Sequence, residues 1–462
     1  MPTTATPTRP PGTPTGEARA GRRARWAALG AGALVVVAML LPRLLDVDVR
    51  AGSAPPLLGD WAPRMGWSSV VAVLVAAGTA WPGLPAALDR LSWRRLLALS
   101  WAVSLVWMVA LALVDGPAGL GRVLDHPSEY LQSARATDDV GALLREYVSR
   151  IPDRGPGALP THLAGHPPGA VLMFVALDRI GLGSWQAAGL VVVLVAATLP
   201  AAVATTLDRL GAADAGRRAL PFLVVGPAAV LMAVSADAVF ATTAAWAAAA
   251  LAAATAARTA RARTGFAVLG GLLFGWCVME SYGLTLIGLL AVAVLLAGKG
   301  SGRGRLTVAA VGGVSALAVV LAFVPLGFAW WDAYPALHER YWAGIASTRP
   351  WWYWVFGNIA ALLLVAGPVL PAALGAGSDR LRALVARRRP DPVAALVAAG
   401  IVMVSVADLS LMSKAEVERI WLPFLPWLLL SATWLPARWL RWALPAQALA
   451  ALLLQHLVRT VW

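Results

Sequence analysis

The sequence predicts an all-α polytopic membrane protein with about 13 transmembrane helices and one large external loop that bears short amphipathic helices. Of its 462 residues, 59% are hydrophobic and 13% are charged, and the mean hydropathy is +0.70. Apolar segments of about 20 residues recur from residue 26 onward, and each can cross a hydrocarbon core of about 30 Å. Only helices or closed barrels satisfy the backbone in lipid, and continuous apolar runs without strict alternation favour helices.

The apolar segments divide the chain into a tail and one membrane domain. Residues 1–25, rich in Pro, Thr, Gly and Arg, are predicted to be a disordered basic cytoplasmic tail, and residues 26–462 a single membrane domain. No internal repeat is evident. The predicted crossings lie at roughly 26–45, 67–88, 96–114, 168–183, 186–206, one or two within 219–257, 265–280, 284–298, 306–329, 352–374, 394–411, 420–436 and 440–460.

The basic residues predict the orientation. The net charge is +14, and the excess lies in short clusters between apolar segments, which is typical of cytoplasmic loops and not of a nucleic-acid interface. The protein is therefore predicted to lie in the cell membrane with a cytoplasmic N-terminus and an external loop at 115–167. Counting crossings from there leaves Arg209, Arg217 and Arg218 outside, against the positive-inside rule.

Several chemistries are excluded or unsupported. The chain has one cysteine, Cys277, so an intramolecular disulfide or a cysteine-based metal site cannot form. No Walker loop, dinucleotide-binding glycine pattern or zinc motif is present. The sequence therefore predicts neither a cofactor nor a metal.

The external loop gathers carboxylates and imidazoles in a chain that has few charges elsewhere. Asp125, Glu129, Asp138 and Asp139 are candidate general bases towards an acceptor hydroxyl. The apolar spacing within 129–148 predicts surface helices lying on the bilayer. For any single acid, the alternative is a solvated pair with a neighbouring arginine.

Polar residues at the ends of later apolar segments extend the candidate site. His166 precedes Pro167 and Pro168, which are favoured in a first helical turn and would hold the imidazole at the mouth of the site. Asp237 lies within an apolar run and Glu280 at a predicted external turn. An ionisable group at membrane depth normally faces a cavity or a partner, although a structural hydrogen bond is the alternative for both.

A late segment, 413–427, combines two cations with two carboxylates. Lys414 and Lys299 are the two lysines among 38 basic residues. Lys414 and Arg419 together can bind phosphate, with Glu416 and Glu418 orienting them. Snorkelling at the interface is the alternative. The aromatic-rich loop 330–353 reads either as an interfacial belt or as a surface for stacking on sugars.

The order of these motifs resembles the GT-C superfamily of membrane glycosyltransferases, which includes protein O-mannosyltransferases and lipid A aminoarabinose transferases. Glu129 and Tyr130 match the acidic-aromatic pair of its first external loop, with Ser128 where the family often has Asp. His166-Pro167-Pro168 matches its His-Pro-Pro, and Glu418-Arg419 its late segment. Glu280 stands where many relatives have Lys. The choice of base stays open among Asp125, Glu129, Asp138 and Asp139.

The resemblance implies a glycosyltransferase that moves a sugar from a polyprenyl-phosphate carrier to an extracytoplasmic glycan, lipid or protein. Tyr130, His166, Asp237, Glu280, Lys414, Glu418 and Arg419 would then bind substrate. The Ala- and Arg-rich composition suggests a GC-rich bacterial gene and favours a cell-envelope glycan or glycolipid as acceptor. Besides these substrates, membrane lipid is the expected partner. The alternatives are a transporter or lipid-carrier flippase, or a non-catalytic envelope assembly partner that docks through the acidic loop.

Overall fold

The computed structural model describes residues 16–152, 155, 157–384 and 391–461, and this part of the chain is almost entirely helical. The first helices are α1 (Gly16–Leu44), α2 (Ser69–Gly78), α3 (Leu84–Asp89) and α4 (Trp93–Ala112). The long loop that follows contains three 3-10 turns (Leu113–Asp115, Pro117–Leu120 and Arg122–Asp125) and the short helices α5 (Leu131–Arg135), α6 (Val140–Arg150) and α7 (Thr161–Gly165).

The middle of the chain forms α8 (Gly169–Arg179), α9 (Trp185–Ala196), α10 (Leu199–Leu210), α11 (Ala213–Val225), α12 (Ala228–Met232), α13 (Ala236–Ala256), α14 (Ala260–Glu280), a 3-10 helix (Tyr282–Ile287), α15 (Gly288–Ala297) and α16 (Gly302–Ala322). The rest comprises α17 (Trp330–Trp342), a 3-10 turn (Ile345–Ser347), α18 (Trp351–Ala366), α19 (Val369–Ala376), α20 (Ser378–Arg382), α21 (Pro392–Leu409), α22 (Val417–Ile420), α23 (Leu425–Leu429), a 3-10 helix (Leu430–Trp434) and α24 (Ala437–Leu457).

One small sheet ties the two halves of the chain together. Strands β1 (Gly59–Trp61) and β2 (Val458–Thr460) pair antiparallel, with Gly59 opposite Thr460. The strand that follows the last helix is thereby fixed to the segment between α1 and α2.

The apolar helices make this a multi-pass membrane protein, but with fewer spans than predicted. Among the described residues, seven helices are long and apolar enough to cross a membrane, or eight if α18 and α19, bent by 100°, count as one. The seven are Gly16–Leu44, Trp93–Asp115, Trp185–Leu210, Ala236–Ala256, Ala260–Glu280, Gly302–Ala322 and Pro392–Leu409. The predicted count of about 13 is not supported.

The difference arises because several predicted crossings are short or broken helices. Segment 67–88 contains α2, of 10 residues, and α3, of 6 residues. Segment 420–436 begins at the last residue of α22 and contains α23, of 5 residues, and a 3-10 helix, also of 5 residues. Pro423 and Pro426 remove backbone donors there. Apolar composition alone does not reveal where such a run breaks.

The predicted crossing at 168–183 lies beside the long loop instead. Helix α8 has 11 residues and rises only roughly 16 Å. At its start, the Tyr147 hydroxyl donates to the His166 carbonyl (3.1 Å), and at its end, Arg179 Nη2 donates to the Asp138 carbonyl (3.4 Å). Both ends therefore contact the same loop.

The contacts of Arg217 show on which side of the bundle its segment lies relative to Arg90. Its Nη1 donates to the carbonyls of Leu88 (2.6 Å) and Leu91 (3.1 Å). These residues flank Arg90, in a segment predicted to be internal, so the prediction that Arg217 lies on the opposite side is wrong. The basic residues of the two segments share one side, as the positive-inside rule requires.

The predicted disordered tail is helical where the structure describes it. Helix α1 begins at Gly16, and Ala24 is buried. Arg23 Nη2 lies 2.6 Å from Asp379 Oδ2, and Gly375 allows close approach, since a Cβ there would meet the Arg23 carbonyl at 2.7 Å. Packing against α19 thus orders residues 16–25, whereas residues 1–15 lie outside the described residues.

The long loop contains the amphipathic helix that its sequence predicts. Helix α6 buries Leu143, Leu144 and Tyr147 while Arg145 and Glu146 are exposed. The Tyr147 ring packs edge-on against Phe328 at 5.6 Å between centroids. This packing holds the loop against the helical bundle.

Candidate functional site

Arg419 lies between two carboxylates that come from distant parts of the chain. Its Nη1 is 2.9 Å from Glu129 Oε1, and its Nε is 3.1 Å from Asp237 Oδ2. Arg419, Glu129 and Asp237 are 3%, 2% and 4% exposed. Ionised groups are this deeply buried almost only when they are paired. We call these three residues, together with His162, which contacts both Glu129 and Arg419, the ion-pair cluster.

Local structure fixes each carboxylate. Glu129 precedes α5, and the adjacent Tyr130 ring stacks on Phe174 of α8 at 5.3 Å and 5°. Asp237 is in the first turn of α13, where the positive end of the helix dipole favours a negative charge. The loop, α8 and α13 therefore set the positions of both acids.

A tight turn sets the position of Arg419. Ala415 and Glu416 adopt φ values of 70° and 67°, which side-chain-bearing residues rarely do. Asn358 holds this turn: its Nδ2 donates to the Ser413 carbonyl (2.6 Å) and its Oδ1 accepts from the Ala415 N–H (3.2 Å). The turn leads directly into α22, which carries Arg419.

His162 completes the cluster. Its Nδ1 lies 2.7 Å from Glu129 Oε1, and its Nε2 lies 3.4 Å from Arg419 Nη2. Burial raises the pKa of the Glu129 carboxyl, but Arg419 and His162 outweigh burial and hold that pKa at about 2. Burial alone would lower the pKa of Arg419, but the negative charges of Asp237 and Glu129 outweigh burial and raise that pKa above its ordinary value. Glu129 and Arg419 are therefore both ionised at neutral pH.

His166 and Glu280 pack beside the cluster. His166 Nδ1 is 2.9 Å from the Glu280 carbonyl oxygen, and the imidazole meets the Tyr130 ring edge-on at 6.0 Å. Burial lowers the pKa of His166, which favours the neutral imidazole. The Glu280 side chain is buried and accepts a hydrogen bond from Thr243 Oγ1 at 3.2 Å. Glu280 thus bonds to His166 through its backbone carbonyl.

A cavity of about 540 Å³ opens beside Arg419. Its walls come from segments 158–166, 337–349 and 412–420. The carboxylate of Glu416 and the imidazoles of His162 and His166 line it. It is also lined by four cations: Arg340, Arg349, Lys414 and Arg419. We call it the cationic cavity.

Backbone carbonyls contact two of these cations. Lys414 Nζ is 2.9 Å from the Ala346 carbonyl and 4.3 Å from the centre of the Trp342 ring. Arg340 donates to the carbonyls of Ile151 (2.7 Å) and Leu159 (2.9 Å). Carbonyl oxygens and aromatic rings carry no net charge, so these contacts hold the two side chains in place without removing their charge.

The carboxylates of the late segment have other partners than predicted. Glu416 Oε1 is 3.2 Å from Arg349 Nη1, which also donates to the Lys414 carbonyl at 2.6 Å. Glu418 is buried, and its Oε1 accepts from the Leu58 N–H at 2.9 Å. These bonds fasten the segment to its neighbours, whereas Glu129 and Asp237 orient Arg419.

Three candidate bases lie outside the cluster. Asp125 forms an ion pair with Arg135. Asp138 and Asp139 are exposed, and Asp139 caps α6 by accepting from the Ala142 N–H at 3.1 Å. Of the four predicted bases, Glu129 is the one that the structure brings to Arg419.

His162, Arg340 and Arg349 were not among the predicted site residues. The sequence carried a signal for the two arginines, because they lie in a loop predicted to be external, where basic residues are disfavoured. The aromatic density around them led instead to the interpretation as a belt or sugar-stacking surface.

Comparisons with protein-family models, with curated proteins and with solved structures each find no match for this chain. Its function is therefore inferred from the ion-pair cluster and the cationic cavity.

Proposed function

We propose that this protein is a glycosyltransferase of the GT-C type that moves a sugar from a polyprenyl-phosphate carrier to an extracytoplasmic acceptor. One observation carries the proposal. Arg419, at the wall of a cation-lined cavity in a multi-pass membrane protein, is paired with Glu129 of the long loop at 2.9 Å. A phosphate-binding cation and a candidate base thus meet at one site.

The cationic cavity suits a lipid-linked donor with a phosphodiester. Arg340, Arg349, Lys414 and Arg419 offer positive charge, while Leu337, Ile345, Met412 and Ile420 offer apolar surface. Its volume of about 540 Å³ lies within the range of small-molecule pockets. A sugar phosphate with the first isoprene units of its carrier combines the same polar and apolar character.

The reaction is a direct displacement. The acceptor hydroxyl oxygen forms a bond to the anomeric carbon as the bond from that carbon to the phosphate oxygen breaks. The electron pair leaves with the polyprenyl phosphate, and a carboxylate accepts the hydroxyl proton. Arg419 and Lys414 stabilise the charge that grows on the phosphate, and the anomeric configuration is inverted.

Glu129 is the base that this geometry favours over Asp125, Asp138 and Asp139. In the ligand-free cluster its pKa is about 2, which makes it a weak proton acceptor. A donor phosphate competes for Arg419 and weakens the hold of that cation on the carboxylate. The pKa of Glu129 then rises, so donor binding strengthens the base where the acceptor must be deprotonated.

The site faces outward in this proposal. The basic segments would lie in the cytoplasm of a cell whose plasma membrane holds the protein, and the long loop with its cavity would face the envelope. The acceptor is then a cell-envelope glycan or glycolipid. Arg217, held at the carbonyls of Leu88 and Leu91, joins its basic segment to that of Arg90, so a single internal face accommodates both.

The test is sugar transfer in proteoliposomes that contain the full-length protein. The donors are a panel of radiolabelled polyprenyl-phosphate hexoses and pentoses, and the acceptors are envelope oligosaccharides. We expect release of polyprenyl phosphate with at least one donor, loss of release in Arg419→Gln, and normal release in Lys299→Met. Failure to cleave any donor, or cleavage unaffected by Arg419→Gln, would overturn the proposal. Movement of intact donor between leaflets would assign the flippase alternative.

A further inference from the structure

A second cavity, of about 590 Å³, remains unused by the site described above. Its lining is largely polar and includes Arg64, Asp115, Asp125, His126, Gln132 and Gln455. We call it the polar cavity. Three arginines and two carboxylates line it, whereas four cations and one carboxylate line the cationic cavity.

Asp115 organises one wall of the polar cavity. Its Oδ2 is 3.1 Å from Arg64 Nη2 and 2.8 Å from Gln455 Nε2, and its Oδ1 is 3.4 Å from Arg459 Nη2. Gln455 is only 5% exposed. Pairing of β1 with β2 fixes the segment that carries Arg459. The wall is therefore preorganised by bonds between three parts of the chain.

The polar cavity is lined by the segments that lead into both carboxylates of the ion-pair cluster. Its lining includes Asp125, His126 and Pro127, just ahead of Glu129, and Ala233 and Val234, just ahead of Asp237. The cationic cavity, in contrast, is lined by the cation and the imidazole of the cluster, Arg419 and His162. The polar cavity thus lies on the segments that carry the carboxylates of the cluster, and the cationic cavity is lined by its cation and imidazole.

We infer that the polar cavity binds the acceptor, and that the acceptor is a neutral, hydroxyl-rich glycan chain. Of the three arginines in the lining, Arg64 and Arg459 pair with Asp115, and Arg122 lies over the Trp185 ring. These partners leave the polar cavity less positive charge for an anionic ligand than the cationic cavity offers. Paired donors and acceptors on carboxylate, amide, guanidinium and imidazole groups suit neighbouring sugar hydroxyls. A lipid tail would leave these polar groups unsatisfied. The inference rests on the proposed function and adds the class and location of its second substrate.

The chain offers a clean chemical test, because its one cysteine, Cys277, is buried. Ala118 lines the polar cavity, Thr161 lines the cationic cavity, and both are exposed. Full-length Ala118→Cys and Thr161→Cys proteins are purified, and each is compared before and after modification with a bulky methanethiosulfonate reagent. Comparing the same variant in both states separates blockage of the cavity from a folding defect.

The readout is binding of neutral mannan, glucan, galactan and arabinan oligosaccharides, followed by ligand-observed NMR. We expect at least one to bind, with affinity reduced tenfold or more by modification at Ala118→Cys and changed less than twofold by modification at Thr161→Cys. No binding of any oligosaccharide, or binding insensitive to modification at Ala118→Cys, would overturn the inference.

This readout does not require sugar transfer, so the two proposals fail separately. Oligosaccharide binding that depends on the polar cavity, without cleavage of any polyprenyl-phosphate sugar, would reject the proposed function and support a glycan-binding cavity. Cleavage of the donor without oligosaccharide binding would support the proposed function and reject the acceptor assignment.

Discussion

The Arg419 guanidinium lies 2.9 Å from the Glu129 carboxylate although 290 residues separate them in the chain. The pair joins the long loop to the segment after α21, and Asp237 of α13 joins both at 3.1 Å. Because the cluster is buried, removing one member leaves an uncompensated charge, which typically costs about 3–5 kcal/mol. The cluster therefore stabilises the packing of this end of the bundle.

The charges of the cluster are expected to be energetically coupled. Arg419→Gln leaves Glu129 and Asp237 buried without their cation, so it should lower the midpoint of thermal unfolding strongly. Adding Glu129→Gln removes one of the buried charges that have lost their partner. The midpoint of thermal unfolding of the double variant should therefore fall by less than the sum of the falls in the two single variants. Thermal unfolding of the detergent-solubilised protein measures this cycle.

Arg135→Gln provides the control for that cycle. Its partner Asp125 is only partly buried, with the two side chains 38% and 21% exposed, so the change should cost less than about 1 kcal/mol. Additive effects of Arg419→Gln and Glu129→Gln would contradict the coupling.

Glu129 is expected to be the base among the four predicted carboxylates. Glu129→Gln keeps the shape of the side chain but cannot accept the proton, so the rate of transfer should fall about 100-fold or more. Asp138→Asn and Asp139→Asn should transfer within about twofold of the wild type, since both residues are exposed and Asn caps helices as well as Asp does. Initial rates of polyprenyl-phosphate release measure the difference.

Asp125→Asn distinguishes a role in acceptor binding from a role as the base. Asp125 lines the polar cavity, so its loss should weaken acceptor use while leaving hydrolysis of the donor by water unchanged. A loss of donor hydrolysis in Asp125→Asn as large as that in Glu129→Gln would move the base to Asp125.

Much of the site could be predicted from the sequence, because burying a charge in an apolar chain is costly and leaves a visible mark. Asp237 stood out within an apolar run, Glu129 was one of four candidate acids in the long loop, and Arg419 lay in the charged late segment. The structure brings these three residues together. The spacing of Val140, Leu143, Leu144 and Val148 likewise predicted α6. These features were predictable because charge and apolar spacing are visible in a short stretch of sequence.

Other features depend on packing that the sequence does not display. Helix α8 reads as a crossing by composition, yet its 11 residues lie against the long loop. Asp139 and Glu129 carry the same group a few residues apart, and only the positions of Arg419 and His162 distinguish them. Arg340 entered the site because α17 packs its guanidinium against the Ile151 and Leu159 carbonyls, a contact without sequence periodicity.

Acid should destabilise the wild-type protein through Glu129. The folded pKa of about 2 lies below the ordinary value of 4.5, so the native state favours the ionised form more than the unfolded state does. This contribution to stability is complete above pH 4.5 and declines as the pH falls towards 2. The midpoint of thermal unfolding should therefore drop between pH 5 and pH 3.

Glu129→Gln tests the source of that decline. The variant lacks the titrating group, so its midpoint should start lower at pH 7 and fall less over the same interval. Parallel curves for wild type and variant would show that other carboxylates cause the acid sensitivity.

Lys414 and Lys299, the two lysines of the chain, form a matched pair for testing the phosphate site. Lys414 lines the cationic cavity and is 4% exposed, and burial lowers its pKa. Lys299 is exposed and adjoins Gly211.

If Lys414 contacts the donor phosphate, Lys414→Met removes a charge-assisted hydrogen bond worth about 1.5–3 kcal/mol. The kcat/KM for the polyprenyl-phosphate sugar should then fall about 10- to 100-fold, Lys414→Arg should restore part of it, and Lys299→Met should match the wild type. Equal activity of Lys414→Met and Lys299→Met would mean that Lys414 serves only to fasten its turn to the Ala346 carbonyl.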